Sequence, residues 1–138
     1  MVRIGIDIIE IERIEKALER HPRFLHRVFT SREKAYCGHK GRPGASLAAR
    51  WAAKEAVFKV LGCGWAAGGW RDVEVLTDGR GRPRVVLYGR AADCARELGL
   101  VNLDLSLSHS REYALAIAVG VVGGEGHVFG DLGRDGRD

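Results

Sequence analysis

The sequence predicts an α+β fold: an antiparallel sheet with one long central helix and shorter helices. Three observations carry this. One β-branched segment opens the chain. A block of helical patterns follows, dominated by the stretch LAARWAAKEAVFKVLG. A run of strand-like segments then fills the second half.

The elements follow in order. RIGIDIIEI alternates enough, with β-branched residues, to form a strand. From Ile11 to Arg20 the apolar positions Ile11, Ile14 and Leu18 share one helical face, and Pro22 ends or kinks that helix. FLHRVFT leads to Ser31, a suitable cap for REKAYCG, with Glu33 near the first turn. GHKGRPG reads as a loop. A long helix runs from about Ala45 to Leu61, where Gly62 and Gly64 stop it. WRDVEVL and RVVLY are strands joined by the hairpin turn TDGRGRP. RAADCAREL is a short amphipathic helix, and LDLSLSHS and YALAIAVGVV are the last two strands. There is no internal repeat and no linker before Gly123, so residues 1–122 form one domain. Residues 123–138, rich in glycine, are expected to be a flexible tail.

Composition bounds the function. The 138 residues are 46% hydrophobic and 29% charged, an ordinary globular balance, and no apolar run is long enough to span a membrane. MVRIGIDIIE has no secretory pattern, so the expected location is cytoplasmic. Cys37, Cys63 and Cys94 lack metal-ligand spacing and are expected to be free thiols. The net charge is +4, with −2 in the tail and +6 in the remainder. A basic body points to an anionic partner: nucleic acid, a phosphorylated ligand or an acidic protein. Aromatic residues are 7% of the chain and no RNA-binding signature occurs, which disfavours nucleic acid.

The charges inside WAAKEAVFKVLG carry the chemistry. Glu55 and Lys59 are one turn apart and form a narrow polar strip bordered by Trp51 and Phe58. A surface ion pair is the plain reading. The bulky apolar border and the turn Gly62-Cys63-Gly64, where a backbone can approach a phosphate, favour a cleft. Arg50 and Lys54 form a second strip on roughly the opposite side. Asp7 lies mid-strand, a poor place for an aspartate without a cation. Arg3 or Arg13 could supply one. Alternatively Asp7 joins Glu55, and two carboxylates suit Mg²⁺, which keeps waters and borrows substrate phosphate oxygens. In LSLSHSREYALA, Ser108 and His109 point to opposite faces of a strand, which discounts a catalytic dyad.

Taken together, IGIDIIEIERI, LAARWAAKEAVFKVLGCG and SLSHSREYALA resemble, in order and spacing, the three motifs of the holo-acyl-carrier-protein synthases, small 4′-phosphopantetheinyl transferases. The resemblance covers about residues 2–120. It implies the 4′-phosphopantetheinyl transferase-like fold and Mg²⁺-dependent transfer of 4′-phosphopantetheine from coenzyme A to a serine of apo acyl carrier protein. Adenosine 3′,5′-bisphosphate would be released, in support of fatty acid biosynthesis. It implies Asp7 and Glu55 as metal ligands and Lys59 as the pyrophosphate contact, these three being catalytic. The proton acceptor is then Glu55 itself or a metal-bound water oriented by Asp7. Gly62 and Gly64 match the turn along which coenzyme A runs. Arg50, His109 and Ser110 match positions at its 3′-phosphate end. Lys40 and Arg42 lie in a loop that supplies further phosphate contacts, and Pro83 falls near the adenine. Cys63 departs from the threonine common in relatives, and the tail has no counterpart.

Members of this family are homotrimers with active sites between subunits. The resemblance therefore implies that one subunit supplies Asp7, Glu55 and Lys59 and its neighbour Arg50 and His109. Acyl carrier proteins are acidic. The basic residues Arg13, Lys16, Arg20, Arg23 and Arg27, with Phe24 as an apolar anchor, become the implied docking surface, although Glu12, Glu15 and Glu19 run alongside and can pair with them. A binding module without turnover is the remaining alternative, and the intact Asp7, Glu55 and Lys59 argue against it.

Overall fold

The computed structural model describes residues 1–64, 68–123 and 133. The proposed tail therefore lies almost entirely outside the described residues. The order is β1 (Val2–Glu10), α1 (Ile11–Arg20), α2 (Phe24–Val28), α3 (Ser31–Gly38), α4 (Pro43–Leu61), a 3₁₀ turn (Trp70–Asp72), β2 (Val73–Thr77), β3 (Pro83–Leu87), α5 (Gly89–Leu98), β4 (Leu100–His109) and β5 (Tyr113–Val122). The expected α+β class is borne out, with two antiparallel sheets rather than one. β1, β5 and β4 form a three-stranded sheet with β5 in the middle, and β2 and β3 form a two-stranded sheet among the described residues.

Side-chain size explains how α4 sits on the larger sheet. β5 turns Ala114, Ala116, Ala118 and Gly120 inward and leaves Tyr113, Leu115 and Ile117 outward. Its inner face is therefore nearly flat, and the helix approaches closely with Ala52, Ala53, Ala56, Val57 and Val60 buried against it. β1 obeys the same rule. Gly5 faces the helix so tightly that a Cβ there would overlap the Ala56 carbonyl oxygen and come within 3.1 Å of Lys59 Cβ. The outward residues of β1 are Val2, Ile4, Ile6 and Ile8, all exposed. Strand alternation is thus present, with the large apolar side chains on the open face.

Local chemistry sets the helix ends. The cap of α3 is Thr30 rather than Ser31: its hydroxyl accepts from Glu33 N, and the Glu33 carboxylate accepts from Thr30 N. Such a reciprocal cap stabilises by about 1 kcal/mol. α4 begins at Pro43, two residues earlier than its apolar pattern shows, because proline is preorganised for a first turn. It ends on Gly62 in the left-handed region, φ 69°, and the guanidinium of Arg3 fills the space a side chain would need there. The segment WRD is a 3₁₀ turn and not part of β2.

The cysteines differ from expectation. Cys63 and Cys94 form a disulfide with Cα atoms 6.7 Å apart, and only Cys37, on the buried face of α3, is free. The turn after Gly62 carries Cys63 back onto α5, so residues distant in sequence become neighbours.

Candidate functional site

Two polar constellations lie on different sides of α4. The first is assembled by β1 and the last turns of that helix. Asp7 is on the helix-facing side of β1, opposite Ala116 of β5. Lys59 Nζ donates to Ile6 O at 2.6 Å and lies 3.4 Å from Asp7 Oδ1. Neither Arg3 nor Arg13 serves Asp7. Arg3 Nε instead donates to Val60 O at 2.7 Å. Lys59 thus faces the strand, and no Glu55–Lys59 surface pair forms.

Electrostatics mark this corner as short of positive charge. Burial pushes the Asp7 carboxyl above its ordinary range, and Lys59 only partly opposes that. Burial also raises Glu55, and the nearby Asp7 charge raises it further. Two mutually repelling, half-buried carboxylates beside a single ammonium suit a hard divalent cation. Among the described residues, no group of three or more His, Cys, Asp or Glu could hold an ion by itself. The donor set fits an ion that takes its remaining ligands from water and substrate.

Glu55 opens into a cavity of about 450 Å³ lined also by Phe58, Gly64, Gly68, Gly69 and Trp70. The Trp70 ring stacks on Trp51, centroids 4.3 Å apart, and meets Phe58 edge-on at 5.6 Å. The cavity lining is therefore partly aromatic and braced. Gly64, at φ 55°, lies in the same lining and leaves its backbone bare.

The second constellation surrounds another cavity, of about 360 Å³. Its lining includes Tyr36, Lys40, Arg42, Ser46, Arg50, Leu107 and His109. Arg50 is 5% exposed. Its Nη2 donates to Thr77 Oγ1 at 2.7 Å, its face lies 4.5 Å from the centre of the Tyr36 ring, and its Nε finds no acceptor. A buried guanidinium with an unused donor is prepared for an anion. Lys40 Nζ also lies over this ring, 4.4 Å from its centre. Hydrogen bonding to Lys40, foremost, draws the Tyr36 phenol below its ordinary pKa. Pro83 pairs with Thr77 across the β2–β3 hairpin, next to the Arg50 contact.

Two residues expected at this site, Arg42 in the lining and Ser110 outside it, are engaged elsewhere. Arg42 is bound to Glu15 at 3.0 Å and to Arg111 O at 2.6 Å. Ser110 Oγ accepts from Tyr113 N at 3.2 Å and from Glu112 N at 3.4 Å, capping the β4–β5 turn. Tyr36, Trp70 and Ser46 belong to the two cavities and escaped the sequence reading. Only the aromatic character of the first two could have signalled them.

The basic stripe is exposed along α1 and α2. Arg13, Lys16, Arg20, Arg23 and Arg27 all face solvent, and Lys16 pairs with Glu12 at 3.0 Å. Phe24 is half-buried rather than free, its ring 5.6 Å from Trp51, yet it lines a cleft with His21, Pro22, Arg23 and Arg27.

A family model described as "4'-phosphopantetheinyl transferase superfamily" matches residues 3–118. The chain belongs to that superfamily. It is 56% identical over 119 residues to the holo-[acyl-carrier-protein] synthase of Moorella thermoacetica, covering 86% of this chain and 93% of that one. Among solved structures, it matches a Bacillus anthracis holo-(acyl-carrier-protein) synthase in complex with CoA (3',5'-ADP), with 37% identity and TM-score 0.72, covering 88% and 96% of the two chains. It also matches a Helicobacter pylori holo-[acyl-carrier-protein] synthase in complex with coenzyme A, with 30% identity and TM-score 0.75, covering 86% and 99%. The resemblance seen in the three motifs is borne out, and with it the fold and the transferase class.

Proposed function

We propose that this protein transfers 4′-phosphopantetheine from coenzyme A to a serine of apo acyl carrier protein, releasing adenosine 3′,5′-bisphosphate, in support of fatty acid biosynthesis. The observation that carries this reading is the corner where Asp7, Glu55 and Lys59 meet beside an open cavity. A Mg²⁺ ion held by Asp7 and Glu55 would, when bound, neutralise charge on the pyrophosphate of the substrate.

The chain's own residues then have separable tasks. Lys59 has its side chain half exposed and can turn a proton toward a pyrophosphate oxygen whose charge grows in the transition state. Glu55, raised by burial and by Asp7, suits acceptance of the serine proton near neutral pH. Gly62 and Gly64 offer bare backbone where a phosphate passes. Arg50, His109, Lys40 and Arg42 line the cavity suited to the 3′-phosphate, Ser110 follows His109 in the chain, and Pro83 would lie toward the adenine.

The two cavities share no lining residue, so one chain does not surround one coenzyme A with both. The outer face of the larger sheet exposes Ile4, Ile6, Ile8, Tyr113, Leu115 and Ile117. A patch of this kind is rare on a monomer. Two further copies of the chain are its proposed occupants, forming a homotrimer in which Arg50 and His109 of one subunit complete the corner of the next. The basic α1–α2 surface would receive the acidic carrier protein.

The deciding experiment is intact-mass spectrometry of apo acyl carrier protein incubated with this protein, coenzyme A and Mg²⁺. A gain of one phosphopantetheine, absent with EDTA and with Glu55→Ala, is expected. No gain with folded protein and several carrier proteins would refute the reading.

A further inference from the structure

Lys54 is the charge in the central helix that the mechanism leaves unused. It precedes Glu55, is fully buried, and is one turn from Phe58. Its Nζ donates to Glu33 Oε1 at 2.8 Å, Trp70 O at 3.0 Å and Val73 O at 2.5 Å. Three ammonium protons thus meet three acceptors, and none remains for a ligand. Burial pulls the Lys54 pKa down, and Glu33 opposes that.

A buried ion pair gives little stability over apolar residues of the same volume, so stability is a weak account of this one. Its geometry supplies a better account. Two of the acceptors are carbonyls at Trp70, which opens the 3₁₀ turn, and Val73, which follows it. Glu33 extends the tie, accepting from Val75 N at 2.9 Å. The turn is therefore fastened to α4 at the residue next to Glu55. Trp70 is the member of that turn whose ring stands between Trp51 and Phe58 in the cavity wall. An apolar side chain at position 54 would leave both carbonyls without this donor and free the turn to shift.

We propose that Lys54 is a positioning residue, which sets the Trp70 wall of the cavity beside Glu55 and through it the seat of the substrate arm that follows the pyrophosphate. This rests on the transferase reading. Trp70 meets a part of coenzyme A that does not react, so its contribution is to binding in ground and transition states alike.

The test uses full-length Lys54→Met, the paired Glu33→Leu/Lys54→Met, which removes both buried charges, and Trp70→Ala. The expected result is a KM for coenzyme A raised about tenfold with kcat per folded molecule unchanged, in Trp70→Ala and in whichever Lys54 variants fold. The Lys54 variants should also lose the near-ultraviolet circular dichroism of the Trp51–Trp70 stack. A merely structural role would lower apparent kcat through loss of folded protein and leave KM alone, and that result overturns the proposal. So does a wild-type KM in Trp70→Ala. Wild-type protein without transferase activity would instead defeat the transferase reading, while the dichroism would still report whether Lys54 holds the turn.

Discussion

Replacing Gly5 with alanine should damage stability and activity together. The added Cβ would overlap the Ala56 carbonyl oxygen and lie 2.9 Å from the Ala56 carbonyl carbon and 3.1 Å from Lys59 Cβ. The principal obstacle is helix backbone, which cannot rotate away. Relief therefore requires β1 and α4 to part by about 1 Å, and overpacking of this kind costs about 3 kcal/mol. Asp7 rides on the strand two residues on, and Lys59 is itself part of the clash, so their 3.4 Å contact and the Lys59–Ile6 hydrogen bond are disturbed. A displacement of about 1 Å in positioned groups lowers kcat/KM about 100-fold. Gly120→Ala is the control. Its Cβ would meet Val60 Cγ1 at 2.6 Å, Leu100 Cδ1 at 2.9 Å and Asn102 O at 3.8 Å, so its close obstacles are side chains rather than helix backbone, and Gly120 pairs with Arg3 at the other end of β1 from the carboxylates. Denaturant unfolding and the mass-gain assay read both variants. Gly5→Ala with wild-type stability and turnover, or equal losses in the two variants, would show that the β1–α4 approach does not set the site.

Glu55→Gln should unfold at a higher temperature than wild type at neutral pH while losing turnover. The Glu55 carboxyl is raised in the fold, so its ionised form destabilises the folded state as pH climbs past the ordinary value of 4.5. The difference should vanish below that value, and Mg²⁺ should narrow it at neutral pH; thermal scans across pH check this. Cys94→Ser should lose about 3–4 kcal/mol under non-reducing conditions, from the loop closed between residues 31 apart, and nothing in excess reductant. Denaturation with and without reductant measures it. Charge reversal at Arg13 and Arg23 should raise KM for carrier protein at least about tenfold and leave KM for coenzyme A unchanged. Arg50→Ala and Glu55→Ala are each expected to be inactive alone and to regain activity when their subunits are mixed, as scored by mass gain.

The elements were legible because periodicity survives burial. β1, α1 and the ends of α4 and α5 fall within a few residues of their sequence expectation, and Asp7 betrayed itself by standing inside a strand. What escaped depended on partners distant in sequence. Alternation in RIGIDIIEI indicates a strand, yet does not tell which face is open, and the isoleucines at 4, 6 and 8 face outward. Cys63 and Cys94 become neighbours only once α4 and α5 pack. Thr30 and Ser31 are both good caps, and the choice fell to the one whose hydroxyl also reaches Glu74, Oγ1 to Oε2 at 2.5 Å. Trp70–Asp72 continues a strand-like pattern, and its turn is fixed by Lys54, a residue with no local signal for that task. Of the candidate site, residue types and helix spacing revealed Glu55, Lys59 and Arg50, whereas the aromatic walls required the fold.

Lys54 and Lys59, two lysines on one helix, differ in bonding and exposure. Each donates to a backbone carbonyl and faces a carboxylate. Lys54 is closed on all sides, with three acceptors at 3.0 Å or less and no exposed surface, so extracting it would abandon a complete set of bonds. Lys59 makes one short bond, to Ile6 O at 2.6 Å, and its side chain is 53% exposed. Its 3.4 Å distance to Asp7 is longer than a charge-assisted hydrogen bond, so that contact is cheaply released. Asp7 can then turn toward a cation while Lys59 turns toward an anion, without exposing a buried charge. The same exchange at Lys54 would strand Glu33, whose side chain is fully buried. Unsatisfied bonding capacity, more than charge, is what separates the lysine proposed to meet a pyrophosphate from the one proposed to hold the wall beside it.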